Sequence, residues 1–151
     1  MYKLLSYFII IIIFTACKPS THFEQTIEFE RDNWVKFKDL EFEIPVEAGK
    51  TYSFIGSFTT DSIYTRRKLE LGFYLYLPGD EQRLEDKTIR VRDLEYQALG
   101  DKVSDGYLLQ ETLKKKLMIN EAGLLKLQIV LHSSQLNNYG IKRLKLKVIE
   151  E

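Results

Sequence analysis

The chain is poor in the residues on which most reactive or cross-linked sites depend. Its 151 residues include one cysteine, two histidines, one tryptophan and three prolines. A single cysteine cannot form an internal disulfide, so packing must stabilise the fold. The two histidines, His22 and His132, are too few for a multi-histidine metal centre and have no evident partners for a Ser-His-Asp arrangement. We therefore expect no metal, no cofactor and no catalytic residues, and we predict that the protein is not an enzyme.

An excess of charge of either sign is also missing. The chain has 22 basic and 22 acidic residues and a formal net charge of zero. Nucleic-acid-binding domains usually carry a clear positive excess, so we expect no nucleic-acid partner. Arg66-Arg67-Lys68 and Lys114-Lys115-Lys116 are local basic runs. Such runs either contact phosphate headgroups or an acidic partner, or are ordinary solvated surface.

Long apolar runs are missing except at the N-terminus. Lys3 is the only charged residue before Cys17, and residues 4–16 are almost all apolar. A positive start, a short apolar stretch and small residues before a cleavage point are typical of a secretory signal peptide. The alternative is a spanning helix, but that needs about 20 apolar residues. We predict that residues 1–16 are a signal peptide.

The end of this run, Phe14-Thr15-Ala16-Cys17, resembles the lipobox of bacterial lipoproteins. The resemblance implies a diacylglyceryl group on Cys17, cleavage before it and acylation of the new amine, for example by palmitate. The alternative is ordinary cleavage with a free thiol. Two or three acyl chains would form a durable membrane anchor. We predict a lipidated cysteine and tether over 17–26 and one domain over 27–151, with Lys18 after the cysteine favouring a periplasm-facing lipoprotein.

Alternation of apolar and polar residues with period two dominates the rest of the chain. It is clearest at 40–46, 69–77, 125–131 and 144–149. This period places apolar side chains on one face of a strand, and short turns separate the segments. The pattern predicts an all-β fold, a single antiparallel β-sandwich, and leaves jelly-roll and immunoglobulin-like strand orders open.

Particular elements carry more specific predictions. We expect 40–46 and 51–59 to pair as a hairpin and 69–77 to be a central strand. A strand at 88–92 is expected to continue, after a bulge, through 94–99. The segment 112–119 fits a strand or a helical turn, and the lysines of 144–149 fit a sheet edge.

Several further segments follow one another in a fixed order after the cysteine. They are an aromatic segment at 29–37, Tyr64 before the strand 69–77, Pro78-Gly79-Asp80 before 88–93, a Gly-Asp loop at 100–106, a turn at 119–123 and Tyr139-Gly140-Ile141. With the lipobox, this order resembles the gliding-motility lipoprotein GldH family of Bacteroidetes, with departures at 57–59 and 63–65 that fit a divergent member. The resemblance implies a non-enzymatic, membrane-anchored accessory or scaffold protein of the gliding motility and associated secretion machinery, with an envelope protein complex as partner.

Aromatic residues offer a second hypothesis. If Trp34, Tyr74 and Tyr76 are exposed on a sheet face, they form a possible binding surface that stacks on sugar rings. The protein would then be a carbohydrate-binding surface lipoprotein with a glycan as ligand. If the second sheet covers them, they are core residues. Asp101, Asp105 and Gly106 lack the spacing of a calcium loop and fit an ordinary turn.

Overall fold

The computed structural model describes residues 20–151, so the signal peptide and Cys17 lie outside the described residues. This part of the chain forms eleven β-strands and one 3-10 helix at Glu30–Asp32. The strands are β1 (Ser20–Glu28), β2 (Asn33–Val35), β3 (Leu40–Val46), β4 (Thr51–Thr60), β5 (Lys68–Tyr76), β6 (Gln82–Arg90), β7 (Asp101–Val103), β8 (Gly106–Met118), β9 (Gly123–Leu131), β10 (Asn137–Tyr139) and β11 (Ile141–Glu150).

Two antiparallel sheets pack face to face as a sandwich, which confirms the predicted fold class. One sheet has the order β1-β11-β4-β8-β7 and the other has the order β3-β9-β5-β6. The short strands β2 and β10 pair separately. Eight of the strands are long: β1, β3, β4, β5, β6, β8, β9 and β11. If these are renumbered 1 to 8 along the chain, one sheet has the order 1-8-3-6 and the other has the order 2-7-4-5. This is the strand order of a jelly roll.

The core lies between the two sheets and follows from the alternation. In β3 the burial alternates without a break, because Leu40, Phe42, Ile44 and Val46 point inward and Glu41, Glu43 and Pro45 point outward. β3 is an edge strand, where a proline costs no ladder hydrogen bond. β4, β5, β9 and β11 contribute further large buried side chains, including Phe54, Phe58, Leu71, Leu125 and Leu146.

Charged side chains join the sheets along one side of the sandwich. Lys114 on β8 pairs with Glu85 on β6, and the Lys87 amine donates to the Thr112 carbonyl. β6 is the edge strand here, so these inward-pointing charges also disfavour pairing with another chain. On the opposite side, the His22 imidazole is hydrogen-bonded to the Pro45 carbonyl at 2.5 Å.

The structure corrects several element predictions. β3 and β4 are not a hairpin, because β3 pairs with β9 while β4 pairs with β11 and β8. β11 is not an edge strand, because β1 covers it from Ser20 to Glu28. For the same reason the tether predicted to reach residue 26 is too long. The segment 94–99 is mostly loop, held by the bridge between Arg92 and Ala98.

Other element predictions are confirmed. β5 lies between β9 and β6, as expected for a central strand. The segment 112–119 falls mostly within β8, so the helical alternative is wrong there. The strand predicted at 88–92 is only partly correct, because β6 spans Gln82–Arg90 and Val91 and Arg92 lie beyond its end.

Candidate functional site

The two ends of the sandwich differ strongly in structure. Ser20 pairs with Glu150 at one end, where the short turns at 47–50, 77–81 and 119–122 also lie. Thr60 pairs with Ile141 at the other end. We call the first the terminal pole. The second, the loop pole, consists of the connections at 29–39, 61–67, 91–105 and 132–140.

Exposed hydrophobic side chains are concentrated at the loop pole. Six of the ten large hydrophobic residues exposed among the described residues belong to its connections: Phe37, Ile63, Leu94, Tyr96, Leu136 and Tyr139. Phe37 is the most exposed, at 78%. Single exposed apolar residues need no explanation, but several at one end of a domain are typical of a protein-binding surface.

Two of these aromatic residues have strained backbones. Phe37 has φ of 69° and Tyr96 has φ of 62°, in the left-handed region that bulky residues rarely adopt. Such a conformation costs on the order of 1–3 kcal/mol and is concentrated at functional sites. The Lys36 amine lies 4.9 Å from the Phe37 ring centre, and the Arg67 guanidinium lies 5.9 Å from that of Tyr96. Both rings are therefore presented beside a cation.

Buried polar groups hold the loops in place. Arg92 is 8% exposed, and its Nε donates to the Tyr64 carbonyl. Its terminal nitrogens donate to the carbonyls of Asp61 and Tyr96, at 2.8 and 2.9 Å. One guanidinium thus links the 61–67 and 91–105 connections.

An asparagine performs the same role for the paired strands β2 and β10. The Asn138 side chain donates to the Trp34 carbonyl at 3.0 Å and accepts from the Ser133 hydroxyl at 2.6 Å. Its backbone N–H donates to the Asn33 side chain at 2.8 Å. These bonds satisfy a buried amide and fix the segment between β9 and β11.

Tyr64 and Lys142, both at this pole, have raised pKa values. Burial raises the pKa of the Tyr64 phenol to about 12, and its hydroxyl donates to the Lys68 carbonyl at 2.9 Å. A hydrogen bond from the Lys142 amine to the Asp32 carboxylate raises the pKa of that lysine. Lys142 thereby fastens the start of β11 to the 3-10 helix.

The structure does not place Trp34 on the surface. Trp34 is fully buried, stacks on Phe29 with ring centres 4.8 Å apart, and donates from its indole N–H to the Lys38 carbonyl at 3.0 Å. It is therefore a core residue, the alternative that the sequence left open, and it cannot serve as a binding platform.

Tyr74 and Tyr76 do lie on an outer face, that of the four-stranded sheet. Tyr74 is half-buried and Tyr76 is 37% exposed. Tyr76 lines a groove of about 230 Å³ together with polar residues of β3 and β9: Glu41, Glu43, Lys126 and Gln128. The structure therefore keeps these two tyrosines together and separates Trp34 from them.

A larger trough of about 540 Å³ lies on the outer face of the five-stranded sheet. Its charges are largely paired. Arg143 donates to Asp105 at 2.8 Å, and this hydrogen bond lowers the pKa of the Asp105 carboxyl. Lys145 lies 2.8 Å from Glu24. Asp105 therefore ties the β7–β8 turn to β11, in agreement with the ordinary turn predicted there.

The remaining predicted features are spread over the surface. His132 is exposed and lies 3.3 Å from Asp86, while His22 is at the sandwich edge. Within residues 20–151, no group of three or more His, Cys, Asp or Glu side chains is placed to hold a metal ion. No helix in that range is long and apolar enough to cross a bilayer.

Comparisons with known proteins give little guidance. No protein-family description matches the chain, and no curated protein matches it. Among solved structures, the Gx strain of infectious bursal disease virus is similar over 86% of this chain, with 16% identity and a TM-score of 0.37. The VP2 subviral particle of that virus is similar over 87%, with 14% identity and a TM-score of 0.39. This chain spans about a third of the length of those viral chains.

Sequence reasoning missed the loop pole as a unit. The signal available was the placement of single hydrophobic residues between charged or polar neighbours, as in Lys36-Phe37-Lys38 and Asp93-Leu94-Glu95-Tyr96-Gln97. Alternation over so few residues does not distinguish a short strand from a loop with exposed apolar side chains, and the prediction of a strand through 94–99 rested on the first interpretation. That the two stretches lie at one end of the domain depends on the strand order.

Proposed function

We propose that the chain is a lipid-anchored, non-enzymatic cell-envelope protein, a GldH-like accessory or scaffold protein, that binds a partner protein through its loop pole. The observation that carries the proposal is the separation of the two poles. Ser20, the described residue nearest the predicted lipid on Cys17, is at the terminal pole. Six of the ten exposed large hydrophobic residues of the described chain are at the other.

The length of the strands sets the distance between the poles. β4 has 10 residues, and at about 3.3 Å per residue it spans roughly 33 Å. Three residues from Cys17 to Ser20 reach at most about 10 Å. An upright domain therefore presents the loop pole to the space beyond the membrane surface, where a protein of an envelope complex can reach it.

Site-specific photocrosslinking in the native envelope tests this proposal. A photoreactive amino acid is placed at Phe37 or Leu136 on the loop pole, and at Met118 or Leu124 as matched exposed positions elsewhere. We expect one crosslinked protein species at both loop-pole positions and none of that species at the controls. Mass spectrometry of the species then names the partner and checks for motility or secretion components.

Two results would contradict the proposal. Crosslinks that are equal at all four positions would indicate nonspecific proximity. Crosslinks confined to Met118 and Leu124 would mean that the partner binds near the membrane-facing end.

A carbohydrate ligand is the second candidate, and the groove beside Tyr76 favours it. An exposed aromatic ring flanked by carboxylate, amine and amide side chains is a suitable surface for a sugar. If this candidate is correct, binding on a glycan array is abolished in Tyr76→Ala and retained in Leu84→Ala, an exposed control on the same face. If the unmodified protein binds no glycan on the array, the carbohydrate candidate is excluded.

A further inference from the structure

Three consecutive cations at the loop pole line a shallow depression of about 420 Å³. Its lining residues are Thr65, Arg66, Arg67, Lys68, Glu70 and Tyr96. We propose that this depression binds the carboxylate groups of an acidic, partly apolar segment of a partner protein. The inference rests on the proposed function and adds to it the chemistry of the partner.

These cations are not neutralised within the described part of the chain. None of Arg66, Arg67 and Lys68 lies within 4.0 Å of a carboxylate oxygen in residues 20–151. In the other basic run, by contrast, Lys114 pairs with Glu85 and Lys116 with Glu151. Glu70 is the one carboxylate among the described lining residues, so the depression keeps an excess of positive charge.

The two guanidiniums are already oriented. A terminal nitrogen of Arg66 donates to the Ser134 hydroxyl at 2.7 Å, and Nε of Arg67 donates to the Asp93 carbonyl at 2.9 Å. Each guanidinium has five N–H donors in a planar fork, so several remain for an incoming carboxylate. Side chains held in this way lose less conformational entropy on binding than free ones.

The surroundings favour a protein segment over a phospholipid surface or an anionic polysaccharide. Ile63 and Leu94 are 66% and 70% exposed on the same two connections that carry the cations and Tyr96. Aliphatic side chains gain by contact with apolar side chains, which a polysaccharide does not supply. In the upright orientation of the proposed function, this pole lies roughly 33 Å from the anchored end, so a headgroup of that membrane is out of reach.

Peptide binding to the full chain in detergent tests the proposal. The probe is a fluorescein-labelled peptide in which glutamates flank a Leu-Phe pair, and its copy with glutamine at each glutamate is the matched control. We expect fluorescence anisotropy to show binding of the glutamate peptide that weakens with added salt, and at least about tenfold weaker binding of the glutamine copy.

Paired variants locate the site. Arg66→Gln with Lys68→Gln should weaken binding at least about tenfold, while Lys115→Gln with Lys147→Gln, which removes the same charge elsewhere, should change it less than about twofold. Arg67 is left intact because it also supports the Asp93 loop. If Arg66→Glu with Lys68→Glu binds a lysine copy of the peptide, the charge exchange proves that the effect is not loss of folding.

Several outcomes would overturn the inference. Equal binding of the glutamate and glutamine peptides would exclude carboxylate recognition, and equal effects of the two paired variants would exclude this site. Binding to vesicles containing phosphatidylglycerol, or to heparin, with none to the peptide would assign the cations to a lipid or a polysaccharide. If the photocrosslinks at Phe37 and Leu136 persist in the Arg66→Gln, Lys68→Gln variant, the loop-pole function stands and only the carboxylate site fails.

Discussion

Arg92 illustrates how a single buried side chain can organise loops. It is 8% exposed, yet it is satisfied by three backbone carbonyls and needs no carboxylate. Carbonyl oxygens buried without a donor cost about 1–3 kcal/mol each. The guanidinium therefore stabilises the two connections that carry Ile63, Leu94 and Tyr96.

Replacing this arginine should be costly. We expect Arg92→Ala to lower the free energy of unfolding by about 3 kcal/mol and Arg92→Lys to recover less than half, because an ammonium cannot reach three carbonyls in one plane. Urea denaturation measures both. Arg90→Ala, at an exposed position on β6, should stay within about 0.5 kcal/mol. An Arg92→Ala protein as stable as the unmodified one would refute the linking role.

Tyr64 should make the fold sensitive to alkaline pH. Its folded pKa of about 12 lies above the value near 10 expected in the unfolded chain. The contribution of the Tyr64 phenol to the free energy of unfolding is therefore complete below about pH 10. It is lost as the pH rises towards 12, because the phenol releases its proton in the unfolded chain first.

The Tyr64→Phe variant tests this pH dependence. It should be about 1 kcal/mol less stable near pH 8, where the bond to the Lys68 carbonyl is lost. Relative to this variant, the unmodified protein should lose about 2 kcal/mol between about pH 9 and pH 11.5. Urea denaturation across that range measures the free energy of unfolding of both proteins. A stability difference that does not change with pH would contradict the prediction.

At the scale of elements, the junction between β10 and β11 depends on a glycine. Gly140 has φ of 89°, and a Cβ atom there would lie 2.3 Å from the backbone nitrogen of Tyr64. Its N–H donates to the Asp32 carbonyl, and its carbonyl accepts from the Asp61 N–H. Three connections of the loop pole therefore meet at this residue.

A comparison of two glycines separates crowding from backbone strain. Gly49 has a similar φ of 77° but open space around it. We expect Gly49→Ala to cost about 1 kcal/mol from φ alone, and Gly140→Ala to cost at least about 3 kcal/mol because the backbone must also move. Urea denaturation of both variants measures the two losses in free energy of unfolding. Equal losses would mean that the backbone of the 61–67 connection yields easily.

At the scale of the molecule, the predicted lipid determines where the loop pole can act. We expect Cys17→Ser to move the protein from the membrane fraction to the soluble fraction and to abolish labelling with radioactive palmitate, because no acyl chain is then attached. Lys18→Ala, beside it, should keep both the label and the location. Membrane association that survives Cys17→Ser would contradict the lipid anchor.

The strands could be predicted from the sequence because burial imposes a period of two. Each inward residue of β3, β5, β9 and β11 must be apolar, so these strands show in the sequence and the all-β class follows. The two tyrosines on the outer face of β5 are predictable for the same reason. The burial of Trp34 could not be predicted in this way, because β2 has only three residues and shows no apolar alternation that assigns Trp34 to the core.

The strand order, and with it the loop pole, was decided only by the tertiary structure. Neighbours in the sheets, such as β3 with β9 and β1 with β11, are far apart in the chain, and alternation says which face is buried but not which strand lies alongside. The sequence by itself determined a predicted N-terminal anchor and a β-sandwich. The packing of the sheets gathered Phe37, Tyr96 and the cations of 66–68 at the end opposite Ser20. The reason is that the jelly-roll strand order places alternate connections, which in this chain are the four long ones, at one end.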